Sequence, residues 1–166
     1  TVVIFLIGLG LGWLSLSFRT YHQLSGEELG FFDRFFRAIT NFEHIRILGV
    51  MQRLAITYGA TALIAILVKH KYIPYIIVIT LVGYFLLLLF GNGFEFSENN
   101  IISILDRAIL GANHMYVDSG VVLDPEGLLS TIPAICHVLI GFLCGELLLS
   151  TKDNYDRIIR LFITGT

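Results

Sequence analysis

The sequence contains four runs of apolar residues that are each about long enough to cross a lipid bilayer. They cover residues 1–18, 45–68, 73–90 and 127–149, and a fifth run begins at residue 157. Stretches of about 18 or more mostly apolar residues are typical of transmembrane helices. Only 14% of the residues are charged, whereas soluble domains usually reach about a quarter. The sequence therefore predicts an all-α, polytopic membrane protein in a lipid bilayer, with one domain over residues 1–166 and a truncated fifth span over 157–166.

Charge and chain ends limit the classes of protein further. The formal net charge is −2, which argues against a nucleic-acid partner because such proteins need a basic surface that neutralises phosphates.

Cys136 and Cys144 lie in one predicted helix, about 12 Å apart, too far for a disulfide. Thr1 opens directly into an apolar run and another run begins near residue 158. We therefore expect both ends to continue in a longer polypeptide.

Basic residues indicate how the spans are oriented. The short turns near residues 70 and 155 contain Lys69, Lys71, Lys152, Arg157 and Arg160, while basic residues are sparser in the two long polar connections. Cytoplasmic loops are enriched in Lys and Arg. We therefore predict that the short turns lie in the cytoplasm and that both long connections lie outside. His70, between two lysines, is expected to be a solvated turn residue.

The first long connection, residues 19–43, contains a helical pattern. Leu29, Phe32, Phe36 and Ile39 recur at steps of three and four residues, with charged residues opposite. This pattern predicts a short amphipathic helix in the membrane interface, and a lid over a substrate cavity is the alternative. Trp13, in the first span, is expected near the interface, where indole rings are enriched.

The second predicted span carries polar residues at helical spacing. They are Arg46, Gly49, Arg53, Thr57 and Thr61, and Arg53 would lie about two turns inside the span. A cation at that depth costs at least about 2.5 kcal/mol unless it faces a partner or a wet cavity. We expect Arg53 to face the protein interior, and snorkelling to the headgroups is the alternative.

The second long connection, residues 91–124, contains three predicted helix boundaries. Ser97 is expected to cap a helix that ends at Leu110, with Gly111 as its stop. Asp124 is expected to be the N-cap of the fourth span, followed by Pro125 in the first turn.

In the fourth span we expect a kink at Pro133 and a buried, hydrogen-bonded His137. We also expect close helix contacts at Gly141 and Gly145, a pair that also permits homo-oligomers.

Residues 106–130 hold most of the polar groups that could carry chemistry, and three interpretations of them are open. His114 could transfer protons, oriented by Asp106, Asp118 or Asp124. Alternatively, Arg46, Arg53 and the helix start at Asp124 could bind an anion. Thirdly, these groups could be caps and ion pairs that hold the connection in place. No metal-binding motif, nucleophile elbow or phosphate-binding loop occurs in the sequence.

Two segments resemble a known enzyme family. HIRILGVMQRLAITY, residues 44–58, resembles the family segment RIPGVLQRLA, with Leu48 in place of a frequent proline. The passage from Ile104 to residue 148, which contains DRAILGANHMY and LDPEGLLSTIPAI, resembles the matching region of heparan-alpha-glucosaminide N-acetyltransferase and its uncharacterised bacterial relatives. The segments cover less than half of the chain, and their order and spacing agree with those of the family.

The resemblance implies a membrane-embedded acyltransferase, and the bacterial relatives imply location in a bacterial inner membrane. Family members use acetyl-CoA and deliver the acetyl group to the amine of a glucosamine-type sugar on the non-cytoplasmic side. The histidine proposed to accept the acetyl group belongs to a segment upstream of residue 1, so we expect residues 1–166 alone to be inactive. Two alternatives from other classes are a small-molecule transporter and a non-enzymatic membrane scaffold.

The family motifs select the candidate residues. The matching positions are Arg46, Gly49, Gln52 and Arg53 in the first motif, Asp106, Arg107, Gly111, His114 and Tyr116 in the second, and Asp124, Pro125, Glu126 and Gly127 in the third. We predict catalytic roles for His114, Asp106 and Asp124. The predicted cofactor-binding residues, for acetyl-CoA, are Arg46, Arg53, Glu126 and Gly127. The predicted partners are the bilayer and an amino sugar or another amine acceptor.

Overall fold

A computed structural model describes residues 1–26, 30–42, 45–95, 97, 99–118, 121–122, 124–150 and 154–165. Its α-helices are α1 (Val2–Gln23), α2 (Phe31–Thr40), α3 (Val50–Leu67), α4 (Ile73–Phe90), α5 (Ile101–Leu110), α6 (Leu128–Ser150) and α7 (Asn154–Gly165). Short 3-10 turns cover Leu24–Gly26, His70–Tyr72 and Ala112–His114, and two-residue strands, β1 (Val117–Asp118) and β2 (Val121–Val122), pair in antiparallel fashion. Leu29, His44 and Lys152, which entered the predictions above, lie outside the described residues.

Four of these helices, α1, α3, α4 and α6, are long and apolar enough to cross a membrane. Their outward faces carry large apolar side chains with no protein cover: Ile66 is 80% exposed and Leu149 is 88% exposed. Burying such side chains in lipid removes apolar area from water. The predicted class, a helical integral membrane protein, is confirmed. Helix α7 has only twelve residues, and its assignment as the start of a fifth span stays a prediction.

Helices α1 and α3 run antiparallel and touch where α1 has a glycine. A methyl group added at Gly8 would lie 2.7 Å from Cβ of Met51 and 2.8 Å from Oε1 of Gln52. At the other end of the contact, Thr1 lies against Gly59. Helix α1 therefore overlaps only the first half of α3, and its C-terminal half extends past the start of α3.

Helix α2 folds back along this extended part of α1. The indole Nε1 of Trp13 donates a hydrogen bond of 3.1 Å to the carbonyl of Ile39, and the ring stacks on Phe42. Ala38 is buried, whereas Phe32 and Phe36 are exposed. The predicted amphipathic helix is confirmed, and its location in the membrane interface stays a prediction.

Helices α4 and α6 enclose the most buried apolar cluster, which contains Ile73, Ile77, Cys136 and Leu139. At the end of this pair, Nδ1 of His70 lies 2.8 Å from Oε1 of Glu146, and the His70 ring contacts Phe142 edge-on. His70 lies in the 3-10 turn His70–Tyr72 and its side chain is half exposed, so the prediction that it is a solvated turn residue is confirmed. In addition, its side chain links the two helices.

Three predicted boundaries differ from the structure. The first span continues to Gln23, five residues beyond its predicted end. The second helix begins at Val50 instead of residue 45, with Gly49 as N-cap, because the preceding residues extend along the second connection. Asn100 caps α5 instead of Ser97, and its side-chain oxygen accepts the amide N–H of Ile102 at 2.9 Å.

Candidate functional site

The two long connections meet at one end of the helix bundle. The segment before α3 runs beside the 3-10 turn Ala112–His114, where the amide of Ile47 donates to the carbonyl of His114 at 3.2 Å. In return, the His114 side chain bonds to the carbonyl of Ile45 at 2.8 Å. Arg46, between these two anchored residues, is therefore held in a non-helical segment and not on the helix where the sequence placed it.

Arg46 joins the connections through an ion pair. Its Nε lies 3.0 Å from Oδ2 of Asp124 and its Nη2 lies 2.5 Å from Oδ1, a two-point geometry. Nη2 also donates to Oε2 of Glu126. The guanidinium lies over the ring of Tyr116, 5.1 Å from the centroid. Hydrogen bonding to Asp124 raises the pKa of Arg46, so the arginine is a permanent cation shared by two carboxylates.

Asp124 is the structural centre of this contact. Its side chain is fully buried, and it accepts the amides of Tyr116 at 3.2 Å and Glu126 at 3.0 Å besides the two bonds from Arg46. Its backbone carbonyl accepts the amide of Gly127 at 3.0 Å, which closes a turn before α6. The prediction that Asp124 caps the fourth span is therefore wrong, because α6 begins only at Leu128.

Asp106, from α5, caps α6 instead. Its Oδ1 accepts the amide of Leu129 at 3.2 Å, and its side chain is fully buried. Burial raises the pKa of Asp106, against the effect of the amide hydrogen bonds. Oδ2 points toward Gly127, where any side chain would overlap the carboxylate. The carboxylate thus occupies the positive end of α6, and this helix start is not open to an external anion as one interpretation required.

His114 is held by a carbonyl and not by a carboxylate. A carbonyl only accepts hydrogen bonds, so Nδ1 carries a proton in its contact with Ile45. The described contacts of Asp106 and Asp124 are to other groups, and the side chain of Asp118 lies outside the described residues. The predicted orientation of His114 by Asp106 or Asp124 is therefore wrong.

Arg53 lies one turn inside α3, closer to its start than the sequence suggested. Its Nη1 and Nη2 donate to the carbonyls of Pro125 at 3.3 Å and Ser130 at 3.2 Å. Both acceptors are neutral, and among the described residues Arg53 has no carboxylate partner. The arginine faces α6, as expected for an inward-facing side chain, and it forms no ion pair with the described residues.

A cavity of about 330 Å³ lies between α3 and α6 next to Arg53; we call it the α3–α6 crevice. It is lined by Val50, Arg53, Leu54, Thr57, Glu126, Pro133, Ala134, His137 and Val138. A larger cavity of about 710 Å³ lies between α1 and α2, but its lining is almost entirely apolar. Binding sites combine apolar walls with a few convergent polar groups, which favours the crevice as the functional site.

Two polar residues of the crevice, His137 and Thr57, were not predicted as site residues. His137 was expected to be a satisfied buried residue; its Nδ1 bonds to the carbonyl of Pro133 at 2.9 Å as expected, but its side chain is exposed toward the crevice. Thr57 is buried and donates to the carbonyl of Leu54 at 3.0 Å. The polar spacing of Arg53 and Thr57 along one helix face was the signal available for this wall of the crevice.

Of the predicted site residues, Arg46, Asp124 and Glu126 come together directly, and Gly127 packs against Asp106 beside them. Among the residues that the structure describes, no group of three or more His, Cys, Asp or Glu side chains is arranged to hold a metal ion. No family model, curated protein or solved structure matches this chain. Its functional interpretation therefore depends on the geometry of the crevice and on the sequence motifs that line it.

Proposed function

We propose that this protein is part of a membrane-embedded acyltransferase that transfers an acetyl group from acetyl-CoA to the amine of a glucosamine-type sugar. The observation that carries the proposal is the position of Arg53. Its guanidinium lies at the crevice and bonds only to neutral carbonyls among the described residues. A phosphate group is the natural partner for such a cation, because charge-assisted bonds from arginine to phosphate are short and strong.

The crevice fits one part of the donor. Its volume of about 330 Å³ is at the lower end of ligand cavities, which span about 300–1,000 Å³. It has room for the acylated arm of acetyl-CoA, while the nucleotide would remain outside. The apolar wall formed by Val50, Leu54 and Val138 suits the carbon chain of that arm, and Arg53 suits an anionic group at its entrance.

We further propose that both long connections face the outside of a bacterial inner membrane. They meet through the contact of Arg46 with Asp124, and the basic residues Lys69 and Lys71 lie at the opposite end of the bundle. The excess of basic residues in cytoplasmic loops supports this orientation. The acceptor sugar would then reach the crevice from the outside.

The experiment uses membranes that contain the full-length protein, acetyl-CoA and a panel of amino sugars, with the N-acetylated product measured by mass spectrometry. Arg53→Ala is expected to weaken coenzyme A binding about tenfold or more, since a bond to a charged group contributes about 1.5–3 kcal/mol. Arg19→Ala, at an exposed position of α1, is the matched control. Absence of both acetyl transfer and coenzyme A binding would overturn the proposal.

A further inference from the structure

The two carboxylates that share Arg46 differ in their surroundings. Asp124 is fully buried and accepts two bonds from Arg46 and two from backbone amides. Glu126 is 21% exposed and lines the crevice, and among the described residues its side chain accepts only from Nη2 of Arg46. Asp124 thus has a structural role, whereas Glu126 is the one of these two carboxylates that a ligand can reach.

Charge counting leads to the same distinction. Arg46 supplies one positive charge and its two partners supply two negative charges. The two-point geometry with Asp124 already satisfies the guanidinium fork. The other oxygen of Glu126, Oε1, has no hydrogen-bond partner among the described residues. A partly buried carboxylate with an excess negative charge favours a cationic hydrogen-bond donor, since Coulomb interactions are stronger there than in bulk water.

We infer that Glu126 is the subsite for the ammonium group of the acceptor. The ligand class is a primary amine in its charged form, bound through charge-assisted N–H···O bonds to Glu126. The crevice would then present opposite charges to its two substrates, Glu126 to the cationic acceptor and Arg53 to the anionic donor. The identity of the amine as an acetyl acceptor depends on the proposed function, but its binding does not.

One consequence concerns release of the product. Acetylation forms the C–N bond of the amide as the C–S bond of the acetyl-CoA thioester breaks. The ammonium nitrogen loses two protons, one to the departing coenzyme A thiol and one to solvent, so the amide keeps one N–H donor but has no positive charge. Glu126 therefore binds the acceptor more tightly than the product. Binding energy at this subsite falls once the reaction is complete, which assists departure of the amide from the crevice.

The test measures binding and does not depend on turnover. Glucosamine and N-acetylglucosamine are titrated into the full-length protein in detergent micelles, with affinity followed by calorimetry. Glucosamine is expected to bind at least about tenfold more tightly than its neutral analogue, and Glu126→Gln is expected to remove that preference. Affinity for glucosamine is also expected to fall as the pH rises through the pKa of its amine.

Two variants make the result specific. Glu146→Gln changes a carboxylate near the far end of α6, half exposed and paired with His70, and is expected to leave glucosamine affinity unchanged. Glu126→Asp keeps the charge on a shorter side chain and is expected to retain part of the preference. Unfolding temperatures of all variants are recorded, and Glu126→Gln is expected to stay folded because Asp124 still holds Arg46.

The outcomes separate this inference from the proposed function. Equal binding of glucosamine to wild type and to folded Glu126→Gln, or no preference for the charged sugar in wild type, would overturn the inference even if acetyl transfer occurs. Binding that depends on Glu126 without any acetyl transfer would support the amine subsite and contradict the acyltransferase. Transfer with a Glu126-dependent preference for charged amines would support both.

Discussion

Arg46 and Asp124 are separated by 78 positions in the sequence and form a two-point ion pair that joins the two long connections of the protein. Asp124 is fully buried and Arg46 is 32% exposed. The pair holds the turn before α6 against the segment before α3. Glu126, in that turn, and Arg53, in the first turn of α3, therefore both lie at the crevice. Its loss would therefore affect both the stability of the fold and the geometry of the crevice.

Arg46→Ala is expected to destabilise the protein by about 3 kcal/mol, the lower end of the range for removing one partner of a buried ion pair. The physical reason is that Asp124 would remain buried with its charge uncompensated. Arg46→Lys is expected to cost less, because lysine keeps the charge but lacks the planar fork that holds both carboxylate oxygens. Thermal unfolding in detergent measures both variants.

The control for this comparison is Arg160→Ala. Arg160 and Asp156 form an exposed i,i+4 pair at 4.0 Å, and such pairs contribute about 0.3–0.5 kcal/mol. Equal losses for Arg46→Ala and Arg160→Ala would show that the buried pair contributes no more than a surface pair.

The buried carboxyl group of Asp106 is expected to make the stability of the protein depend on pH. Burial raises the pKa of its carboxyl above the ordinary value of 3.8, so the folded protein holds this proton more tightly than the unfolded chain. The stabilisation from protonation is complete below the ordinary pKa and is lost as the pH rises through the raised one. Asp106→Asn, which keeps an acceptor for Leu129 without a charge, is expected to remove this contribution.

The measurement is the unfolding temperature of wild type and Asp106→Asn between about pH 4 and about pH 8. The difference between the two curves isolates Asp106 from the other titrating groups. Asp106→Ala is the companion variant; it removes the cap as well as the titrating group, and is expected to be less stable than Asp106→Asn by about 1–2 kcal/mol at every pH. Parallel pH curves for wild type and Asp106→Asn would contradict the assignment.

Gly127→Ala is expected to be strongly destabilising, because its methyl group would overlap the Asp106 carboxylate. If the overlap is the cause, the effect must depend on Asp106. In the background of Asp106→Ala, the same substitution is expected to cost much less, giving a coupling energy of about 0.5–3 kcal/mol. Additive losses in the double variant would show that the two residues do not act on each other.

Gly8 and Gly10 provide a matched pair for testing the contact of α1 with α3. A methyl group at Gly8 would lie 2.7 Å from Cβ of Met51, whereas one at Gly10 would have no atom within 4 Å. Gly8→Ala is expected to lower stability by about 1–3 kcal/mol through overpacking. Gly10→Ala is expected to be neutral or stabilising, since alanine favours helix. Similar unfolding temperatures for the two variants would contradict this packing.

Labelling of single cysteines tests the membrane orientation. In a background without Cys136 and Cys144, cysteines are placed at the exposed positions Ser25, Asn113 and Lys71. A membrane-impermeant maleimide added to intact cells is expected to label the first two, which lie on the long connections, and not the third. Labelling of Lys71→Cys alone would reverse the proposed orientation, and opposite results for Ser25→Cys and Asn113→Cys would contradict the fold.

The glycine pair in α6 has no partner helix within the described residues. A methyl group added at Gly141 or Gly145 would meet no atom within 4 Å. The predicted close contact at these positions is therefore not made inside the described part of the chain, and a homo-oligomer through this face stays a prediction. Comparison of the oligomeric state of wild type and Gly141→Leu in detergent checks it.

The number of spans, the short helix α2 and the end of α5 at Gly111 could be predicted from the sequence. Each depends on local properties: the length of an apolar run, the spacing of apolar residues, or a backbone conformation such as φ +80° at Gly111 that favours glycine. The location of the two long connections on one side of the membrane was predictable as well. Successive spans alternate in direction, so every second connection lies on the same side.

The tertiary structure decided which polar groups meet. Several side chains in residues 106–130 are chemically able to cap α6 or pair with Arg46, and the sequence favoured Asp124 for the cap because of its position before Pro125. In the fold, the cap comes from Asp106, 23 residues before the amide it accepts. Asp124 pairs with Arg46 instead, and Glu126 lines the crevice. A hydrogen bond requires only distance and direction, and these are set by how α5 packs against α6, which no local pattern encodes.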